Sequence, residues 1–251
     1  MRLDLGWVRQ RMPGRFIEWS RSTASTMTDA ARLARAGCAS GTVIGADEQT
    51  AGIGRHGHSW HSEAGLGLYT SMVLRLPVGA ADLPIVMLAL GLATQEAIAE
   101  AASLAPDLRW PNDVLLDGKK CAGIMAVLEG DAVIAGIGIN VNHTFFPPDI
   151  ESTATSLRIA GGKTVSREEL LTALIDAVDG CCKILVEEGS GAVLRMFVRA
   201  SSYAQGRRVC VEQDGKMIEG TTCGLTSSGF LLVRQDDGKE LTILAGGVRP
   251  A

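Results

Sequence analysis

Arg109-Trp110-Pro111-Asn112-Asp113-Val114-Leu115-Leu116-Asp117-Gly118-Lys119-Lys120-Cys121-Ala122-Gly123-Ile124 reads as a strand, a tight turn and a returning strand. Pro111 bars a helix through the first part, and Asn112-Asp113 favour turn geometry, which sets Asp113 at a strand end where backbone donors are free. Asp117-Gly118 supplies the two-residue tip of a hairpin that returns to Lys119-Lys120. Folded this way, Asp113 and Lys120 face one cleft, an acid and a cation about one hairpin apart. An ordinary surface hairpin with lysines guarding its edge against aggregation is the competing reading.

Working outward, residues 42–46, 66–76, 108–110, 114–116, 121–128 and 133–141 carry the apolar runs or alternation of strands. Their shortness and tight turns predict an antiparallel or mixed sheet rather than repeated βαβ units. Ser25 is placed to cap a helix over residues 26–35, with Asp29 in its first turns and Gly37 ending it. A long helix is expected over 83–102, and a capping box of Ser166 with Glu169 should open another over 167–188. Gly189-Ser190-Gly191 breaks that helix before a shorter one to Ala200, so at least three helices cover the sheet. From Gln205 the character changes to short runs at 209–211, 217–218, 230–233 and 241–244, punctuated by Gly215, Gly220, Gly229 and Gly238. These predict a small barrel of about five strands. The fold class expected is therefore α+β, with domains at 1–204 and 205–251.

Composition narrows the partners. A chain of 251 residues that is 46% hydrophobic builds a real core, and a net charge of −4 leaves no basic footprint for nucleic acid. The most apolar stretch, 83–93, stops at Thr94-Gln95-Glu96, too short and too soon polar to span a bilayer. Without an apolar segment near Arg2, Arg9 and Arg11 to serve as a secretory signal, the cytoplasm is the expected compartment. The six cysteines show no CxxC pair, so they are expected reduced and mostly buried. His56, His58 and His61 fit neither a helical face nor a zinc finger.

Two phosphate-binding patterns fail on context. Gly52-Ile53-Gly54-Arg55-His56-Gly57 satisfies G-x-G-x-x-G, but the residues after it lack helical periodicity, and no acid closes a following strand. Gly161-Gly162-Lys163-Thr164 resembles the tail of a P-loop, yet Leu157 occupies the position of its first glycine. What remains at 52–57 is a glycine loop with Arg55 as its fixed charge, between Gln49 and Trp60. Such a loop lets backbone N–H groups approach a phosphate while an arginine pairs with it and an indole covers a ring. Gly136-Ile137-Gly138-Ile139-Asn140-Val141-Asn142 reads as a buried strand whose glycines allow close packing.

Taken in order, Ser25-Thr26, the glycine and arginine loop, Trp110-Pro111-Asn112-Asp113, Lys119-Lys120-x-x-Gly123-Ile124 and Gly136-x-Gly138-Ile139-Asn140 resemble the biotin protein ligase family, from about residue 16 to residue 249. The resemblance implies a catalytic domain related to class II tRNA synthetases followed by an SH3-like barrel. It implies an ATP-dependent ligase that forms biotinyl-5'-AMP, with Mg2+, and transfers biotin to a lysine of a biotin carboxyl carrier protein of a biotin-dependent carboxylase. By the same resemblance Lys120 and Arg55 are the catalytic cations. Ser25, Thr26, Met27, Gln49, Gly52, Gly54, Arg55, Trp60, Lys120 and Gly123 bind biotin. Arg55, Trp60, Arg109, Asn112, Asp113, Lys120 and Asn140 bind ATP, Asn140 by reaching the adenine, and Asp113 holds magnesium or orients Lys120.

The chain departs from the family where Met27 follows Ser-Thr in place of the usual asparagine, where Ile53 and His58 stand at positions that commonly hold arginine, and where Arg109 replaces a lysine. A looser or slower closing loop is expected. The roughly fifteen residues before Phe16 are too few for a DNA-binding domain, so neither DNA nor a membrane is an expected partner, while a homodimer is left open. A lipoate or octanoate protein ligase and a catalytically weak biotin sensor are the rival readings.

Overall fold

Residues 2–54, 57, 59–213 and 215–251 are described by a computed structural model. Seven strands form the larger sheet: β1 (Ile17–Ser20), β2 (Thr42–Ala46), β3 (Gly67–Leu74), β4 (Asp107–Arg109), β5 (Asp113–Leu116), β6 (Lys119–Glu129) and β7 (Ala132–Asn140). Their order is β1-β2-β3-β7-β6-β5-β4. The β1–β2 pair is parallel and the other neighbours are antiparallel, which is the mixed sheet the short strands predicted.

Alternation along β7 assigns the two faces of this sheet. Val133, Ala135, Ile137 and Ile139 enter the main core, shared with α3 (Leu83–Ala102), α5 (Arg167–Glu187) and α6 (Ser190–Ala200). Ile134 points the other way, into a smaller cluster with Ala30 and Ala34 of α2 (Thr26–Arg35), Ile44 and Val73. The next two residues on that second face are Gly136 and Gly138. Past the N-terminus of α2, the sheet therefore presents bare backbone, and the candidate site lies over it. Helix α3 is long and apolar enough to cross a membrane by length and composition, but it is mostly buried in this fold. Each fully buried leucine or isoleucine on it contributes roughly 1.5–3 kcal/mol.

Two capping expectations change in detail. Ser25 occupies the N-cap position of α2, but its hydroxyl makes no cap bond, and the Thr26 N–H donates instead to Gln49 Oε1 at 2.9 Å. Ser166 accepts from the Glu169 N–H as expected, while its own hydroxyl donates to Glu168, whose carboxylate also accepts from the Asp4 N–H. The box has become a clasp on the N-terminal segment. That segment holds α1 (Leu5–Arg11), and neither α1 nor β1 was legible. Helix α1 buries Val8 alone, and β1 is four residues long, so neither carries a measurable period. Gly161-Gly162 ends the short α4 (Leu157–Gly161), with Gly162 in the left-handed conformation at φ +68°. The P-loop likeness is thus a helix C-cap.

The second sheet comprises β8 (Gln205–Gln213), β9 (Lys216–Leu225), β10 (Leu231–Arg234), β11 (Glu240–Ile243) and β12 (Val248–Pro250), in the order β11-β10-β9-β8-β12, all antiparallel. Val209, Val211, Leu231, Val233 and Ile243 join the same core as α3. The buried Trp110 indole donates to the Gly229 carbonyl at 2.9 Å. Gly229 has φ +84°, and a Cβ there would meet Ile85 at 3.2 Å, so this close approach needs glycine. The smaller sheet is thereby fixed against the segment that carries Asn112 and Asp113.

Candidate functional site

The hairpin turns through Asp117 at φ +49° and Gly118 at φ +76°. Beyond the turn, the β5–β6 register jumps from Val114–Ala122 to Leu115–Lys120, leaving Cys121 as an extra residue. Strict alternation would put Lys120 on the face of Ala122 and Ile124, inside the main core. The bulge turns it onto the glycine face instead. There its ammonium lies 2.5 Å from Asp113 Oδ1 and 5.4 Å from the centre of a Trp60 ring.

Asp113 is held from both sides. Arg109, its cross-strand partner, donates to Oδ2 through NH2 at 2.7 Å and Nε at 3.2 Å. Burial alone would push the Asp113 carboxyl up, but the Lys120 and Arg109 cations hold it below the ordinary carboxylate value, so it stays ionised. Because the folded-state value is depressed, the stability this group contributes is present above the unfolded value near 3.9 and is lost as pH falls through the folded one. With both oxygens engaged by cations, Asp113 does not fit as a ligand for a hard divalent ion, which takes about six oxygens. Its position is that of a holder for Lys120.

The glycines make the floor. A Cβ at Gly138 would lie 2.6 Å from the Trp60 indole, one at Gly123 would meet both Trp60 and Lys120 at 3.0 Å, and one at Gly136 would overlap the Met27 sulfur. Trp60 and Met27 therefore lie directly on the backbone. The Trp60 backbone N–H donates to the Gly52 carbonyl at 2.9 Å, which ties the main chain carrying the indole to the glycine loop.

At the α2 end the polar groups form a closed set. Gln49 Oε1 accepts from the Thr26 N–H at 2.9 Å and its hydroxyl at 3.1 Å, Thr26 Oγ1 sits 2.9 Å from Ser71 Oγ, and Gln49 Nε2 donates to Ser62 Oγ at 3.0 Å. Among the described residues two buried polar atoms of this trough have no partner: Ser25 Oγ and Trp60 Nε1. Buried polar groups are nearly always paired, so orphans lining a cleft mark where a ligand's own polar atoms belong.

Three clefts meet at Lys120 and Trp60. The first holds Ser25, Thr26, Met27, Gln49, Gly54 and Gly123. The second runs between the two sheets, past Asn112 and Asp113 to Glu212, Gln213 and Arg249. The third holds Arg109, Asn140, His61 and Phe146. Asn112 donates to the Ile124 carbonyl at 3.0 Å, and Asn140, nearly buried, donates to the Thr155 carbonyl at 3.1 Å. Arg55, His56 and His58 lie outside the described residues. Sequence reasoning missed Ser62, Ser71, Glu212 and Arg249. Ser71 looks like any polar residue of a strand, and Arg249 belongs to a three-residue strand that no pattern announces.

An ammonium at the junction of three clefts, fixed by an ionised acid, is suited to drawing two anionic groups into contact. The comparisons with known proteins agree on what those are elsewhere. The sequence model of the Biotin/lipoate A/B protein ligase family matches residues 19–142, and that of the Biotin protein ligase C terminal domain matches residues 205–248. A biotin--[acetyl-CoA-carboxylase] ligase of Mycobacterium tuberculosis is 31% identical over 98% of this chain and 95% of its own length. The bifunctional ligase/repressor BirA of Bacillus subtilis is 30% identical, covering 92% of this chain and 73% of its own length. Among solved structures, the biotin protein ligase from Aquifex aeolicus in complex with biotin and ATP superposes with a TM-score of 0.82 at 32% identity, over 93% of this chain and 97% of that one.

Proposed function

The chain belongs to the biotin protein ligase family, and from that premise we propose that its three clefts carry out ATP-dependent biotinylation of a carrier protein. The observation that carries the reading is the position of Lys120, between a trough with unpaired polar atoms and the two clefts that contain Asp113 and Arg109. A biotin carboxylate oxygen attacks the α-phosphorus of ATP and the bond to the β-phosphate oxygen breaks, giving biotinyl-5'-AMP and pyrophosphate. An unprotonated lysine amine of the carrier then attacks the acyl carbon, and AMP leaves.

Lys120 offsets the repulsion between the carboxylate and the triphosphate, and gains strength as charge builds on the α-phosphoryl oxygens. Asp113 keeps that ammonium aimed. Trp60 covers the apolar part of the acyl group, Ser25 pairs with the ureido ring, and Asn140 reaches toward the adenine. ATP enters as its magnesium complex, with Mg2+ carried by the phosphates. The carrier is the biotin carboxyl carrier protein of a biotin-dependent carboxylase. The net charge of −4 supports a ligase acting without DNA or a membrane, and six free thiols are in keeping with the cytoplasm.

Pyrophosphate release and carrier labelling, measured separately with biotin and with lipoate, test the proposal. Both signals are expected with biotin alone. Labelling with lipoate would favour the lipoate branch, and binding of biotin without pyrophosphate release would favour a sensor.

Ser25→Ala is expected to change affinity and stability in opposite directions. It removes a buried hydroxyl without a partner in the free protein, so the free protein should be unchanged or up to about 1 kcal/mol more stable. The same change should weaken biotin binding about tenfold, the worth of one hydrogen bond to a buried ligand group. Thermal unfolding without ligand and calorimetric titration with biotin read the two effects. Unaltered affinity would remove Ser25 from the biotin contacts.

A further inference from the structure

Beside the third cleft, three side chains that the ligase reaction does not use come together. We infer that His61, Glu63 and His143 form a binding site for a borderline divalent cation of the zinc class. Each offers one ligand atom, and the three atoms lie within 4.8 Å of one another. His61 Nε2 and Glu63 Oε2 are 3.7 Å apart. Ligand atoms of tetrahedral zinc, with legs of 2.0–2.1 Å, are roughly 3.3 Å apart, so a modest closure of the two partly exposed side chains completes the set.

The second observation is independent of that clustering. His143 is fully buried, and its Nδ1 has no hydrogen-bond partner among the described residues. Its other nitrogen, Nε2, lies 3.4 Å from the Tyr69 hydroxyl, which in turn donates to the Glu63 carbonyl at 3.0 Å. The ring also stacks on Phe146, with centroids 5.1 Å apart. A buried imidazole held on one side by a hydroxyl and on its face by an aromatic ring is the arrangement by which outer groups orient a metal-binding histidine. Burial, with His61 adding to it, lowers the His143 pKa to about 4, so the ring is neutral and ready to ligate at neutral pH.

The donor set chooses the ion. Two imidazoles and one carboxylate suit zinc or cobalt, whereas magnesium and calcium require oxygen ligands throughout. Three protein ligands leave a fourth position open, and His61 lines the cleft it shares with Arg109 and Lys120. The inference stands on these three residues and not on the ligase reading.

Titrating the full-length, tag-free chain with Co2+ tests it, followed by displacement with Zn2+. One cobalt per chain is expected, with the visible absorption of a tetrahedral nitrogen and oxygen site, and zinc should displace it. His61→Ala and Glu63→Gln, both at partly exposed positions, should each weaken cobalt binding about tenfold or more while the circular dichroism spectrum is unchanged. Absence of stoichiometric uptake, uptake unaltered in His61→Ala, or the intense near-ultraviolet band of cobalt on thiolates would each overturn the site. The last outcome would assign the metal to the cysteines instead.

Discussion

Lys120→Ala should slow pyrophosphate release from biotin and ATP by about 10²–10³-fold, because a preorganised donor aimed at charge that develops during reaction is worth about 3–4 kcal/mol. The size of the effect follows from how the ammonium is held. Its contact with Asp113 and its place beside the Trp60 ring fix it before substrate arrives, so little reorganisation accompanies the reaction. The loss should appear mainly in kcat, with biotin affinity changed far less, since the interaction strengthens as the phosphoryl group is attacked. Arginine at this position should not restore the rate. Its planar fork is longer and would bind Asp113 in a bidentate manner, drawing the charge away from the cleft junction. Asp113→Asn gives a contrasting result. It leaves Lys120 and Arg109 facing each other without the carboxylate, and losing the charge partner of a partly buried cluster costs about 1–3 kcal/mol, so this variant should lose stability as well as rate. Rapid-quench measurement of biotinyl-5'-AMP, beside denaturant unfolding, separates the two. A Lys120→Ala variant that forms adenylate at the parental rate would take Lys120 out of the chemistry.

The hairpin that carries both residues was legible because its determinants are local. Pro111 forbids helix, Asp117-Gly118 specifies the turn, and the long periodic helices announce themselves by composition. The bulge at Cys121 was not legible, although it decides whether Lys120 points into the core or into the cleft. It arises from pairing with β5 and from the Lys120–Thr155 and Lys120–Thr153 backbone bonds, which join segments distant in sequence. The same reason hid Ser71, whose meaning comes from Thr26 across the sheet. Its position before a helix marks Ser25 as a cap. Its side chain is instead without a partner because Gln49 bonds the Thr26 N–H, a tertiary contact that local propensity does not foresee. His143 had no local signature at all, since its partners come from the loop after Trp60 and from β3.

Gly138→Ala is expected to weaken biotin binding about 30–100-fold, an effect of roughly 2–3 kcal/mol, comparable to the burial of one large side chain. The added methyl meets three atoms of the Trp60 indole at 2.6–3.0 Å, closer than side chains approach in a packed interior. The indole cannot yield inward, because backbone lies beneath it, and the main chain that carries it is tied to Gly52 through the Trp60 backbone N–H. It must lift off the sheet into the trough, where the acyl chain would lie. No left-handed conformation is demanded at Gly138, so the strand itself accepts alanine and the penalty is steric, with overpacking lowering stability by about 1–3 kcal/mol. Gly136→Ala should cost much less affinity, because the group overlying it is the flexible Met27 thioether, which can swing aside. A double-mutant cycle discriminates between a floor for Trp60 and a requirement of the sheet. With the indole already removed in Trp60→Ala, adding Gly138→Ala should change biotin affinity by less than about threefold, since nothing remains to be displaced. If the two losses simply add, Gly138 serves the strand and the trough needs another explanation.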